Sequence, residues 1–350
     1  TRALSSAASD VYKRQLYNGN KRLKTIQQEK LNNQMAELDV ATSENNIQES
    51  IAQVYIQILY AAESVKVNEN TLQVSIAQRD RGQELLNAGS IAKSDLAQLE
   101  AQVSTDRYQL VTAQATLEDY KLQLKQLLEL DGENEMNIYL PALSDENVLA
   151  PLPTKRDVYI SALSLRPEIE ASKLNVEASE LGINIAKSSY FPTISLSAGI
   201  GTNHTSGSDF TFGEQVKNGW NNSIGLSVSV PIFNNRQTKS AVQKAKLQYE
   251  TSMLSLLDEQ KALYKTIESL WLDANSAQQR YAAANEKLKS TQISYELISE
   301  QFNLGMKNTV ELLTEKNNLL QAQQEQLQAK YMAILNTQLL KFYQGDQLAI

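Results

Sequence analysis

Side chains able to carry covalent or metal chemistry are nearly absent from this sequence, which has no cysteine and one histidine, His204, among 350 residues. Thiol nucleophiles, disulfides, Cys/His zinc sites and histidine-centred triads are excluded, so neither catalytic residues nor a metal or other cofactor is expected. Carboxylate chemistry alone remains open to such a chain. The charges, 33 Lys+Arg against 40 Asp+Glu for a net of -7, include no basic block. Neutralising phosphates takes clustered cations, so nucleic acid is not expected as a partner. What these residues can do is pair, cap helices and line a polar path.

The elements that hold them are long. Only 13 Gly and 6 Pro punctuate the chain, and all six prolines (Pro141, Pro151, Pro153, Pro167, Pro192, Pro231) fall in its middle. The proline-free flanks are copies of one another at an offset of 216 residues, the interval from Gly89 to Gly305. Leu16-Tyr17-Asn18 falls on Ile232-Phe233-Asn234, Ile51 on Ile267, Tyr55 on Trp271, Leu72 on Leu288, Asn87-Ala88-Gly89 on Asn303-Leu304-Gly305, and Asp95-Leu96 on Glu311-Leu312. A repeat of this size marks one structural unit used twice.

Within each copy the apolar period is seven. Ile267, Ala274, Tyr281, Leu288, Tyr295 and Phe302 form one such row, with Leu263, Leu270, Ala277, Ala284 and Ile298 beside it. The first copy has Ile51, Ile58, Val65, Leu72 and Leu86, beside Ile47, Val54 and Ala61. A sustained heptad predicts left-handed supercoiled helices packed knobs-into-holes. Continuous helix is expected from Lys21 to Leu86 and from Arg236 to Phe302, about 100 Å each at the helical rise. Gly89 and Gly305 stand where a left-handed C-terminal cap belongs. After the second break, Asn308 with Glu311 forms a capping box that restarts a helix, and the returning helices are expected to end near Leu130 and Phe342.

Between the copies the period falls to two. Ile194, Leu196, Ala198 and Ile200 alternate with Thr193, Ser195, Ser197, Gly199 and Gly201; Ile224, Leu226, Val228 and Val230 alternate with Ser223, Gly225, Ser227 and Ser229. Strands of about nine residues with one aliphatic face and one small polar face suit an outer-membrane barrel, where tilted strands of that length suffice. A half-buried soluble hairpin has the same pattern. Tyr190-Phe191 and Phe233 stand at the helix-proximal ends in the manner of an aromatic girdle, and a polar loop from Thr202 to Asn222 joins the far ends. No stretch is apolar and long enough for a transmembrane helix. One hairpin cannot close a barrel, so further strands must come from elsewhere.

These divisions give residues 1–15 as a non-native leader, 16–130 as the first helical repeat, 131–165 as an equatorial crossover that is loose from Asp131 to Pro153, 166–189 as a helix, 190–233 as the strand hairpin with an extracellular loop, and 234–345 as the second repeat. The leader TRALSSAASDVYKRQ matches nothing later in the chain and resembles translated library-adapter sequence. The chain begins with Thr, and the match of Tyr17-Asn18 to Phe233-Asn234 predicts a strand pair before the first repeat. That pair is expected to have been lost with whatever targeting signal preceded it.

Arg166-Pro167-Glu168-Ile169, Ala186-Lys187, Tyr190-Phe191-Pro192-Thr193-Ile194-Ser195-Leu196, Val230-Pro231-Ile232-Phe233, Phe302-Asn303-Leu304-Gly305 and Val310-Glu311-Leu312-Leu313, in this order and with the duplication, resemble the TolC-type outer membrane efflux protein family. The resemblance implies a mainly α fold with a β-hairpin. Long antiparallel coiled-coil helices would form a periplasmic α-barrel, and each chain of a homotrimer would give four strands to a twelve-stranded β-barrel in outer-membrane lipid. It also implies an exit duct of a tripartite efflux or type I secretion system in a Gram-negative bacterium, engaging a periplasmic adaptor (membrane fusion protein) and an inner-membrane transporter. By the family's pattern Asp95 and Lys307 match its closing network and Glu311 a ring acid, while Phe302 stands in place of a tyrosine and Thr314 in place of a second acid. Gly89 and Gly305 would form the adaptor-docking tips. A soluble periplasmic coiled-coil scaffold or adaptor is the alternative that the arms alone would allow.

Overall fold

A computed structural model describes residues 5–130, 138–139 and 148–348. Its chain order is β1 (Ser5–Asn18), α1 (Lys21–Asn87), α2 (Lys93–Leu127), α3 (Lys155–Leu165), α4 (Pro167–Lys187), β2 (Thr193–Thr205), α5 (Phe212–Asn218), β3 (Asn221–Ser229), α6 (Gln237–Asn303) and α7 (Thr309–Gln344). The fold is mainly α with one small antiparallel sheet, as the sequence implies. Two compact units divide it: 1–40 with 167–260, and 41–166 with 261–350. Both long helices contribute a segment to each.

The duplication is written into the backbone. Outside glycine, positive φ occurs at Asn20, Glu129, Asn235 and Arg236, and glycines with positive φ include Gly19, Gly89, Gly305 and Gly345. These eight residues form four pairs at the 216-residue offset: Gly19 with Asn235, Asn20 with Arg236, Gly89 with Gly305, and Glu129 with Gly345. The hydrogen bonds repeat as well. Gly89 N–H donates to the Leu86 carbonyl (2.9 Å) and Ser90 N–H to that of Leu85 (2.8 Å); Gly305 N–H donates to Phe302 (2.9 Å) and Met306 N–H to Gln301 (2.8 Å). Both tips are therefore Schellman caps that satisfy the last carbonyls of helices 67 residues long.

In the first unit the order β1-β2-β3 places β2 at the centre. Ile194 faces Val228, Leu196 faces Leu226 and Ala198 faces Ile224, so aliphatic meets aliphatic across the strands; Ser195 faces Ser227 and Gly199 faces Ser223. The helices of this unit bury Ile169, Ala178 and Val242 and also meet through polar contacts, with Gln28 Nε2 donating to the Ala178 carbonyl (2.8 Å) and the Ser179 and Ser252 hydroxyls 2.8 Å apart.

β1 stands just before the first repeat, where a strand pair was expected to have been lost, and most of it lies in the segment set apart as a leader. Backbone pairing to β2 explains it, because ladder hydrogen bonds require no particular side chains. Its side chains do not continue the pattern: Asp10 lies opposite Ile200, Tyr12 opposite Ala198 and Arg14 opposite Leu196, on the aliphatic side of β2, while Val11 lies opposite Gly199. A register shift between Gln15 and Tyr17 then sets Tyr17 opposite Ile194, where an aromatic residue does fit the apolar face.

The second unit holds the coiled-coil core. Leu263, Ile267, Ala274, Ala277, Tyr281, Ala284 and Phe302 of α6 are buried, following the heptad rows. In α1, burial of Ile58, Ala61 and Val65 follows the expected row, but Ala52, Ile56 and Leu59 are also buried and Ile47 is exposed. The wider face arises because Ile56 and Leu59 pack on Tyr331, Leu335 and Leu339 of α7 as well.

The crossover ends in a helix. Residues 131–137 and 140–147 of it lie outside the described residues, whereas Lys155–Leu165 is a helix capped by Thr154, whose hydroxyl oxygen accepts from Asp157 N–H (3.2 Å). Val158 and Ala162 bury its inner face. Gln278 Nε2 donates to the carbonyls of Val148 (2.9 Å) and Ala150 (2.8 Å), and Trp271 Nε1 to that of Pro153 (3.0 Å), pinning the segment to α6.

At both tips a Cβ would meet nothing within 4 Å, so glycine is required there by φ alone, +75° at Gly89 and +72° at Gly305. Gly305→Val should therefore lower stability by about 1–2 kcal/mol through the left-handed conformation, and Gly305→Asn by much less. Thermal unfolding followed by circular dichroism measures both; equal melting of the two variants would contradict this account.

Candidate functional site

Two places in the chain present groups that packing alone does not require: the helix tips and the sheet.

At the tips, the ends of α1 and α6 meet the starts of α2 and α7. Leu85, Leu99, Phe302 and Leu312 form a closed apolar cluster, with Phe302 2% exposed. Phe302 takes the position that Leu86 holds in the first copy. It fills the tip core and has no hydroxyl to contribute a hydrogen bond.

The charged residues expected to face one another do not pair within one chain. Asp95 Oδ2 accepts from the Ala92 N–H (3.0 Å), capping α2. Lys307 Nζ lies 2.5 Å from Glu311 Oε1, four residues along, and Glu311 Oε2 accepts from the Asn308 N–H (3.3 Å). Asn308 Oδ1 accepts in return from Glu311 N–H (2.9 Å), so the capping box read from the sequence is formed. The Lys307 ammonium, and after it the Asn308 N–H, hold the Glu311 carboxyl below the usual glutamate range. Beyond Phe302 the second tip leaves Leu304 and Met306 each 73% exposed, where the first copy has Ala88 and Ser90. Gly89 and Gly305 themselves serve by bending the chain, so that the residues beside them form the end surface.

The sheet carries the second feature. Ile224 is 85% exposed, and Leu226, Val228, Leu196 and Ile200 are exposed as well. Through the register these residues make one aliphatic face, bordered at its helix-proximal end by exposed Tyr190, Phe191 and Phe233. At the far end the β2–β3 connection is organised by Gln215: its Oε1 accepts from Thr205 N–H (2.9 Å) and lies 3.1 Å from His204 Nδ1, and its Nε2 donates to the Phe210 carbonyl (2.7 Å). His204 thus braces a loop. Among the described residues no acidic or histidine group is gathered for a metal, and no helix is long and apolar enough to cross a membrane.

One residue whose role sequence reasoning missed is Arg166, read there only as the residue before a helix start. It is buried, with Nη2 2.6 Å from Glu49 Oε1 and its guanidinium 3.7 Å from the Tyr343 ring centre. It clamps the start of the repeat's middle in α1 to the end of α7. The position matching Glu49 in the second copy is Lys265, exposed, so the clamp exists once. That unequal pair, Glu against Lys at otherwise matched heptad positions, was the available signal.

A carboxyl with a depressed folded pKa stabilises above its unfolded value, about 4.3, and that contribution is lost as pH falls through the folded value. Acidification into and below the glutamate range should therefore loosen the second tip. Amide exchange at Asn308, corrected for its intrinsic pH dependence, should accelerate in the parent, and Glu311→Gln should show the faster exchange already at neutral pH.

Comparison with known proteins identifies the family. Residues 158–345 fit the sequence profile of the outer membrane efflux protein family. The chain is 24% identical over 294 residues to the outer membrane efflux protein BepC of Brucella suis, covering 83% of this chain and 61% of that protein. It is 24% identical over 294 residues to the outer membrane protein TolC of Escherichia coli, covering 81% and 58%. It thus spans about three fifths of the length of these relatives. Among solved structures, CusC, reported for conformational changes accompanying folding and transmembrane channel formation, superposes with a TM-score of 0.82 at 17% identity over 99% of this chain and 83% of that one. With the profile covering more than half of its residues, and with a fold shared along nearly its whole length, the chain belongs to the outer membrane efflux protein family.

Proposed function

We propose that this chain forms part of an outer-membrane exit duct, the outermost component of a tripartite efflux or type I secretion system, and is not an enzyme. The observation that carries the reading is the aliphatic face of the sheet, built by register and left open to the surroundings. In water such a contiguous apolar patch is a liability; against lipid it is the outer wall of a barrel. A soluble scaffold would have no use for it. The opposite face, lined by serine and glycine, suits a water-filled lumen.

An open sheet edge must be paired, and the arrangement that supplies enough strands is a trimer with a common twelve-stranded barrel and the long helices forming a periplasmic tunnel. Asp10 and Arg14 on the aliphatic side of β1 do not suit such a wall, since a cation at the bilayer midplane costs about 2–4 kcal/mol. This supports reading 1–15 as foreign to the duct. The helix tips, with exposed Leu304 and Met306 beside Gly305, form the surface that a periplasmic adaptor engages, linking the duct to an inner-membrane transporter. Carried through the outer membrane would be drugs, toxic compounds or proteins.

The native protein should fractionate with the outer membrane, require detergent for extraction and migrate as a trimer. Recovery of a monomer in detergent-free buffer would overturn the reading.

The tips also serve as the gate. In one chain Lys307 and Asp95 hold partners within their own helices, and closure of the ring is the step that lets them face each other between neighbouring tips. Such half-exposed pairs contribute only about 0.2–1 kcal/mol each, enough to bias a gate without locking it. Lys307→Glu should raise the resting single-channel conductance of the trimer, and adding Asp95→Lys should lower it again. The second variant is decisive, because losing the Lys307–Glu311 pair alone could not be repaired from Asp95.

A further inference from the structure

The interior of the second unit contains an almost fully enclosed ionic contact that neither the duct nor the gate requires. Lys316 of α7 is 3% exposed and Asp106 of α2 2%. Lys316 Nζ donates to Asp106 Oδ2 and to the Ser75 hydroxyl of α1; that hydroxyl donates to Asp106 Oδ2, and Gln102 Nε2 donates to Asp106 Oδ1 (2.9 Å). Burial works against the Lys316 charge and Asp106 supports it. Two ions taken out of water are a poor source of stability, because their desolvation offsets most of their attraction. Their use must be sought elsewhere.

The repeat shows where. At the 216-residue offset Asp106 corresponds to Ala322, fully buried, and Lys316 to Glu100, exposed. Ser75 corresponds to Thr291, whose hydroxyl donates instead to carbonyls of its own helix. The acid and hydroxyl thus come from the first copy and the base from the second, with no reciprocal trio. Two helical repeats of like heptad pattern can pair first with second, but equally first with first or second with second. They can also slide by seven residues without disturbing the apolar seam. The trio removes each alternative. An α2–α2 contact would bury two carboxylates, and an α7–α7 contact two ammoniums. A one-heptad slip would bury Lys316 against Leu99 or Ala113, which offer it no acceptor.

We propose that Asp106, Lys316 and Ser75 act as an interior pairing code, making the first repeat accept only the second and only in one axial register. They are positioning residues: Lys316 lies five residues beyond Glu311, so the register they fix sets the height of the second tip. The inference rests on the repeat and the buried contact alone, and would stand if the duct reading fell.

The chain has no native cysteine, so spin labels can be placed cleanly at exposed Ser104→Cys on α2 and Gln328→Cys on α7. The full chain is measured in detergent by pulsed electron–electron resonance and by thermal unfolding. The parent should give one narrow distance. Lys316→Met alone strands a buried carboxylate and should lower Tm by about 10 °C. Asp106→Leu with Lys316→Met should melt at or above the parent, yet give a broadened distribution or a second peak displaced by up to about 10 Å, one heptad of helical rise. The exchange Asp106→Lys with Lys316→Asp should restore the single narrow peak. If the apolar pair keeps the parent's narrow distribution, or the exchanged pair remains as broad as the apolar one, the pairing code is refuted. Should Lys316→Met fail to fold, the two double variants decide between these outcomes.

Discussion

A helix of 67 residues cannot bury its own apolar stripe, and a stripe repeating every seven residues must be covered along its whole length by something of the same period. That constraint shapes everything else in the second unit. The cover comes from the returning helices α2 and α7, so each long helix needs a reversal tight enough to keep the period in phase, and Gly89 and Gly305 supply it with the same two hydrogen bonds. Where the returning helices end, Glu129 and Gly345 take matching left-handed conformations. The crossover helix α3 then lays Val158 and Ala162 against what remains open, next to the buried Arg166 clamp.

What was legible in the sequence was whatever a short-range rule could express. Helix ends were marked by glycine and by the Asn308/Glu311 box, strand faces by a period of two, and the core of α6 by its heptad. Three things were not. Helix α3 was hidden by Pro151, Pro153 and Pro167 on its flanks, which punctuate a loop as well as they bracket a short helix. The repeat predicted strands before the first copy, but β1 was set apart as a leader because its side chains break the alternation at Asp10, Arg14 and Val11. Above all, Arg166 stood out only as the residue before a helix start, and nothing local set Asp106 and Lys316 apart from the other charges. Their burial depends on a third element arriving from more than a hundred residues away, and no local window contains that information. Only the mismatches between copies, Glu49 with Lys265 or Asp106 with Ala322, hint at it.

Those mismatches separate the two jobs of a duplicated chain. Positions kept equal at the 216-residue offset are conformational: the left-handed residues, the caps, the heptad rows. Positions made unequal carry what happens once. Phe302 fills the shared tip cluster from the position that Leu86 holds in the first copy, Leu304 and Met306 expose large apolar side chains where the first copy has Ala88 and Ser90, and Lys307 stands where the first copy has Ile91. The scaffold is inherited from symmetry and the function from its violation.

The unequal charges also differ in strength according to where they lie. Lys307 and Glu311 are a third or more exposed, with Lys307 just before α7 and Glu311 in its first turn, so their pair is weak and fades further with salt. Asp106 and Lys316 are enclosed, and removing either partner strands a charge at a cost several times larger. The ionic contacts of α7 therefore strengthen from its start toward its middle: a weak, screened pair outside the apolar tip cluster, then a buried contact that does not slip. If the tip moves, the motion must be confined to the turn or two before Lys316, because beyond that point any displacement of α7 along its neighbours would break the pair. A helix built this way can open at one end without losing its register, which is the behaviour the proposed gate would need.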